Sequence, residues 1–256
     1  MNAIQILDYK HLIKRIAISD FKLRYRNTVL GFFWSLLEPL LMLLVLYLVF
    51  TRLMRMETEN YALFLLMGIV SWNFLAKGTQ MSLHCILNKP GLVKHVYLPK
   101  EILVISSCLT ALMMAVLEFL VFGIFMLFFG VRPGLTAIYF PLILSLEFIL
   151  ILGLSFGLST LNVYYRDVQY IWGVILQIGF FATPIIYPMS ILPKRVASLI
   201  MLNPMTRIIE MFRISLIYNR PPTMADLSYA FISSIIILFL GYLLFLKLEP
   251  RLAEEM

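Results

Sequence analysis

Charge is scarce in this chain. Only 14% of its 256 residues are Asp, Glu, Lys or Arg, and 61% are hydrophobic. A soluble domain carries about 25% charged and about 45–50% apolar residues. One core of this size cannot hide so much apolar surface from water, which points to a chain bathed in lipid. Histidine is scarce too. His11, His84 and His95 lie far apart and offer no metal-ligand spacing. The two cysteines, Cys85 and Cys108, fall in or beside apolar runs and read as small packing residues, not as a disulfide framework. No G-x-x-x-x-G-K-[ST] loop occurs, and no Ser-His-Asp or Cys-His arrangement can be argued. The chain is therefore expected to be no enzyme and to hold no metal. A secretory leader is not expected either. Residues 1–26 carry six Lys or Arg, with no small-residue cleavage site before the first long apolar run.

What the sequence has is length of apolar run. A membrane-crossing helix needs about 20 mainly apolar residues. Six segments are expected to supply spans: 29–50, 61–77, 102–129, 137–162, 170–187 and 227–246. Lys77 is expected to end the second by snorkelling. The fold expected is an all-α membrane protein of one domain, with both termini on one side. The net charge of +7 is carried between the apolar runs. That placement reads as topology and headgroup contact rather than as a nucleic-acid footprint. Thirteen Lys or Arg fall on the side of the termini. Three (Arg52, Arg55 and Arg132) fall on short loops opposite, and five lie between spans five and six. The bias favours cytoplasmic termini.

Three segments do not span. Residues 10–26 form an amphipathic pattern. Leu12, Ile13, Ile16, Ala17 and Phe21 lie on one side and His11, Arg15, Lys22 and Arg26 on the other. Asp20 and Arg24 break the apolar face at a spacing that allows them to pair. An interfacial helix and a simple topological anchor both fit. The stretch 188–226 holds two apolar pieces, Val196–Leu202 and Ile208–Tyr218, too short to cross and punctuated by five prolines. Short re-entrant or interfacial helices fit it, as does a plain amphipathic loop. Glu38, Glu118 and Glu147 lie within expected spans with no basic partner in sight at mid-span. They read either as buried packing groups or as ion-coupling acids.

Five strings, in order, resemble the permease subunits of type-2 ABC exporters for polysaccharides and polyol phosphates. They are Ser19-Asp-Phe-Lys-Leu-Arg-Tyr-Arg running into Val29-Leu-Gly-Phe-Phe-Trp-Ser-Leu-Leu-Glu-Pro-Leu; Asn88-Lys-Pro-Gly-Leu-Val-Lys-His-Val-Tyr-Leu-Pro-Lys-Glu; Asn162-Val-Tyr-Tyr-Arg-Asp-Val; Thr183-Pro-Ile-Ile-Tyr-Pro-Met-Ser; and Asn203-Pro-Met-Thr-Arg. The resemblance covers nearly the whole chain. It is nearest to O-antigen export permeases, although capsule and teichoic-acid permeases share the strings.

The resemblance implies a half-transporter that pairs with a second copy of itself and with two ATPase subunits, which bind ATP and magnesium. The implied cargo is a lipid-linked polysaccharide, crossing the inner membrane. Residues 88–100 resemble a cytoplasmic coupling helix, with Asn88, Lys89, Pro90, Gly91, Leu92, Val93 and Lys94 meeting the ATPase; an ordinary positive-inside loop is the plainer reading. Residues 1–28 resemble an interface segment, and 188–226 an outer gate. Tyr164, Tyr165, Arg166 and Asp167 are implied to shape a cytoplasmic entrance, or else serve as a topology signal and helix cap. Spans one and five are implied to line the path. That nominates Phe33, Trp34, Tyr47, Trp172, Phe180, Phe181 and Tyr187, whose rings suit the apolar faces of sugars. Lipid contact and interface anchoring suit the same residues. An ion-coupled carrier is the reading from another class, and no inverted repeat supports it.

Overall fold

The computed structural model describes residues 8–26, 31, 33–53, 60–95 and 98–252. Among them there is no strand. The helices are α1 (Lys10–Tyr25), α2 (Phe33–Leu48), α3 (Tyr61–His84), α4 (Pro90–His95), α5 (Glu101–Phe128), α6 (Phe140–Tyr164), α7 (Val168–Ala182), α8 (Lys194–Ile200), α9 (Pro204–Phe212) and α10 (Met224–Leu248). A π turn at Val49–Leu53 prolongs α2, and another at Arg213–Ile217 prolongs α9. Among the described residues five helices are long and apolar enough to cross a membrane: α2, α3, α5, α6 and α10. The chain is a multi-pass membrane protein.

The fifth expected span is shorter than 170–187. Helix α7 has 15 residues and stops at Ala182. At 1.5 Å per residue it reaches about 22 Å, less than the roughly 30 Å of a bilayer core. The cause is Pro184, which forces the preceding Thr183 into extended backbone (φ −85°, ψ 140°). Thr183–Ile186 run on as buried, non-helical chain. Such backbone survives at membrane depth only inside protein.

Helix α3 is the axis of the bundle. It is apolar nearly all round and buried nearly all round, as such a helix must be. It also runs seven residues past the expected end at Lys77, through Gly78, Thr79, Gln80 and Ser82 to His84. Two of those hydroxyls spend their hydrogen bonds on their own helix: Thr79 donates to the Leu75 carbonyl at 2.8 Å and Ser82 to that of Gly78 at 2.7 Å. Helix α2, by contrast, buries only Ser35, Pro39 and Leu43, a stripe of one residue per turn. Its other faces are open. Helices α6 and α10 cross closely at Gly153 and Gly241; a Cβ on Gly153 would lie 2.5 Å from the Leu238 nitrogen. Small residues are how helices approach where lipid gives no hydrophobic drive.

The chain ends and turns sort to two faces. At one, here the basic face, α1 packs on α5 through Ile13 and Ala17, with the Thr110 hydroxyl donating to the Ala17 carbonyl at 3.2 Å. There Tyr164 donates to the Leu248 carbonyl at 2.8 Å, and Asn162 to that of Leu83 at 3.1 Å. At the far face lie α8, α9 and the turn before α6, where Asn219 donates to the Arg132 carbonyl at 3.1 Å. Asn203 caps α9 by accepting from the Met205 amide at 3.0 Å.

Candidate functional site

A groove of ≈ 880 Å³ runs between α2, α3 and α7. Helix α2 supplies Trp34, Glu38 and Met42, α3 supplies Trp72, Asn73 and Gln80, and α7 supplies Gln177, Phe180 and Phe181. Gly179 lets α7 lie close against α3, since a Cβ there would stand 2.7 Å from the Trp72 ring. Phe180 meets Trp72 edge to face at 6.3 Å between centroids. The wall thus alternates aromatic planes with amide and carboxylate groups. Ring faces take the C–H faces of sugars, and amides and carboxylates take hydroxyls.

Beside the groove sits a charged node. The Lys77 ammonium lies 2.6 Å from Glu38 on α2 and 3.0 Å from Glu118 on α5, tying three helices together. Its side chain is 12% exposed; that of Glu118 is 2% and that of Glu38 is 60% exposed. Asn73 donates to Glu118 at 3.4 Å. Two expectations are corrected here. Lys77 does not close a span by snorkelling but lies within α3, and Glu38 and Glu118 do have a basic partner. Their partner lies on another helix, so no spacing along the chain shows it. Glu147 is buried and accepts from Ser71 at 2.9 Å.

At the basic face a second, polar cleft of ≈ 600 Å³ opens between α1, the end of α3, the turn into α4 and the start of α7. Asp20 and Arg24 line it from α1, Asn88 and Lys89 from the turn, and Gln169 and Tyr170 from α7. Lys77 and Gln80 line it as well, so the cleft meets the groove along α3. Asp20 pairs with Lys89 at 2.5 Å and not with Arg24. That pair ties α1 to the α4 turn. Pro90 opens α4, Gly91 faces open space, and Leu92 packs on the core. The side chains of Val93 and Lys94 lie outside those the structure describes.

At the far face Arg213 is wholly buried. It donates to the Phe64 carbonyl at 3.1 and 3.2 Å, to Pro184 at 2.7 Å and to Ile185 at 2.9 Å, and it pairs with Glu210 at 2.7 Å. The non-helical chain after α7 is thereby fastened to α3 and to the end of α9. Tyr61 adds a bond to the Ile186 carbonyl at 2.8 Å. Read as sequence, Arg213 is one more charge between spans; in the fold it is a cross-link.

The nominated residues separate. Trp34, Phe180 and Phe181 line the groove. Phe33 is exposed, at the start of α2. Tyr47 sits 6.3 Å from the Tyr61 ring, toward the far face. Trp172 turns inward and donates to Thr79 at 2.9 Å. Tyr187 folds back on the end of α7, donating to the Phe181 and Ala182 carbonyls at 3.1 and 3.2 Å. Of the entrance residues, Tyr164 is held to Leu248, while Tyr165, Arg166 and Asp167 are exposed. The cleft takes its α7 lining from Gln169 and Tyr170 instead. Trp72, Asn73, Gln80 and Gln177 were not legible as groove residues. Their one signal is polar or amphipathic character inside apolar helices.

A family model described as ABC-2 type transporter matches residues 11–217. A protein of Klebsiella pneumoniae named O-antigen export system permease protein RfbA is 30% identical over 248 residues, covering 95% of this chain and 94% of its own length. One of the same name from Myxococcus xanthus is 28% identical, covering 98% and 97%. The Escherichia coli polysialic acid transport protein KpsM is 22% identical, covering 95% of each.

Proposed function

Because the chain belongs to the ABC-2 type transporter family, we propose that it is the membrane subunit of an ATP-driven exporter of lipid-linked polysaccharide. The observation that carries this is the groove itself: aromatic planes interleaved with Glu38, Asn73, Gln80 and Gln177, on helices α2 and α7 whose remaining faces are unburied. Two copies facing one another across α2 and α7 would cover those faces and join two grooves into one conduit. The chain carries no phosphate-binding loop of its own, so ATP and magnesium belong to a partner ATPase, two per pair of permeases. The α4 turn is the contact for that partner, and the Asp20–Lys89 pair passes its movement to α1. The basic face is then cytoplasmic, both termini with it, and the membrane is the inner one. The buried chain after α7 and helices α8 and α9 close the exit. The relatives' names span O-antigen and polysialic acid, so the cargo is a glycan.

The experiment is export in a cell lacking its own permease. The chain, supplied with its ATPase, is expected to place a lipid-linked glycan on the outer side only when ATP is hydrolysed, and the two proteins are expected to purify together. Transport by the chain alone, driven by an ion gradient, would overturn this reading.

A further inference from the structure

We infer that Glu38 makes the groove selective for an uncharged glycan over an acidic one. The inference rests on reading the groove as the glycan path. Among the described residues lining the groove, Glu38 is the single charged one, and it is a carboxylate. The other polar groups on the wall are the amides of Asn73, Gln80 and Gln177. A neutral sugar suits that set. Its hydroxyls donate to Glu38, and they exchange bonds in both directions with the amides. Its ring faces lie on Trp34, Trp72 or Phe180.

A sugar carboxylate finds no partner there. The nearest cation, Lys77, is 12% exposed and already holds Glu38 and Glu118 at 2.6 and 3.0 Å. One ammonium shared by two carboxylates has no charge left to offer. An acidic sugar would have to displace Glu38 from Lys77 or lie beside it, like charge against like charge. Arg24 and Lys89 do not relieve this, because they line the cleft at the basic face and not the groove. A like charge set against the wrong ligand is one of the two routes to specificity.

The test compares two lipid-linked polymers with the same lipid and the same reducing-end sugars. One has a neutral hexose repeat and the other carries one hexuronic acid per repeat. Each is made in a cell whose own permease is deleted, with this chain and its ATPase supplied, and surface glycan is measured over time. The native chain is expected to export the neutral polymer about tenfold faster or more, a discrimination of about 1.4 kcal/mol. Glu38→Gln is expected to raise the acidic-to-neutral ratio. Gln177→Lys, a cation added on the opposite wall, is expected to raise it too, and it carries the test if Glu38→Gln does not accumulate in the membrane. Equal export of both polymers by the native chain overturns the inference while leaving the transporter reading intact, as does a ratio unmoved by either variant. Export of neither polymer overturns the transporter reading and this inference with it.

Discussion

The guanidinium of Arg213 lies 3.4 Å above the centre of the Phe64 ring and donates twice to the Phe64 carbonyl. One residue of the far-face segment thus holds both the side chain and the backbone of one residue of the central helix. It also satisfies Pro184 and Ile185, whose carbonyls have left the helix. Arg213→Met keeps the volume and removes every donor. The Pro184 and Ile185 carbonyls then lose their donor, at about 1–3 kcal/mol each, while that of Phe64 stays within the helix ladder. The purified variant is expected to melt well below the native chain. An unchanged melting temperature would show that water or another donor serves those carbonyls.

Gly68 is the other half of that site. A Cβ there would stand 2.8 Å from the Arg213 terminal nitrogen and 3.0 Å from Ile185. Gly68→Ala is expected to destabilise the chain by displacing Arg213, so its effect and that of Arg213→Met overlap. In a double-mutant cycle the combined loss should fall short of the sum by about 0.5–3 kcal/mol. Strict additivity would separate the two residues.

These two faces of the molecule differ in how far the sequence announces them. Helices α5 and α10 follow from run length alone. The end of α7 follows from Pro184, which an apolar count overlooks but backbone sterics do not. The length of α3 does not follow, because Thr79 and Ser82 lower its hydropathy while bonding to their own helix. That stopped the expected span at Lys77 and hid the node. The nomination of α2 and α7 aromatics found Trp34, Phe180 and Phe181, but which rings face a groove depends on rotation about each helix. Trp172, eight residues before Phe180, is spent on Thr79 instead. Arg213 could not be read as a cross-link, since apart from Glu210 three residues away its partners are carbonyls, which every residue has.

The Asp20–Lys89 pair predicts a functional effect without a large structural one. Both side chains are about one-fifth exposed, at 23% and 21%, so the bond itself adds about 1 kcal/mol or less. Lys89→Ala is expected to leave melting almost unchanged. Export per ATP hydrolysed should nevertheless fall, because α1 no longer follows the α4 turn. Full export by this variant, and by Pro90→Ala, would remove the coupling role from the turn.

Glu249, just past α10, gives a pH dependence. Burial first, and then the nearby Glu101 carboxylate, push its carboxyl above the usual range, with Lys100 opposing. An acid whose pKa is raised by folding stabilises the fold below its unfolded value of about 4.3 and loses that contribution as pH rises through the folded value. Stability should therefore decline as pH climbs from just above 4. Glu249→Gln should flatten that decline and raise the melting temperature at neutral pH. A slope unchanged by the variant would assign the decline to other groups.

Lys77 separates a charge that is needed from a charge that is merely balanced. Lys77→Met leaves Glu38 and Glu118 facing each other with no cation. Glu38, at 60% exposure, can turn away, whereas Glu118, at 2%, cannot. The cost is that of stranding one buried carboxylate, about 3–5 kcal/mol, and it falls on Glu118. Glu118→Gln in the Lys77→Met background is therefore expected to restore most of the lost melting temperature, because an amide needs no counter-ion. Glu38→Gln in the same background should restore little. The reverse order of rescue would mean that Glu38 is the buried member in the assembled transporter, covered there by a second copy lying along α2.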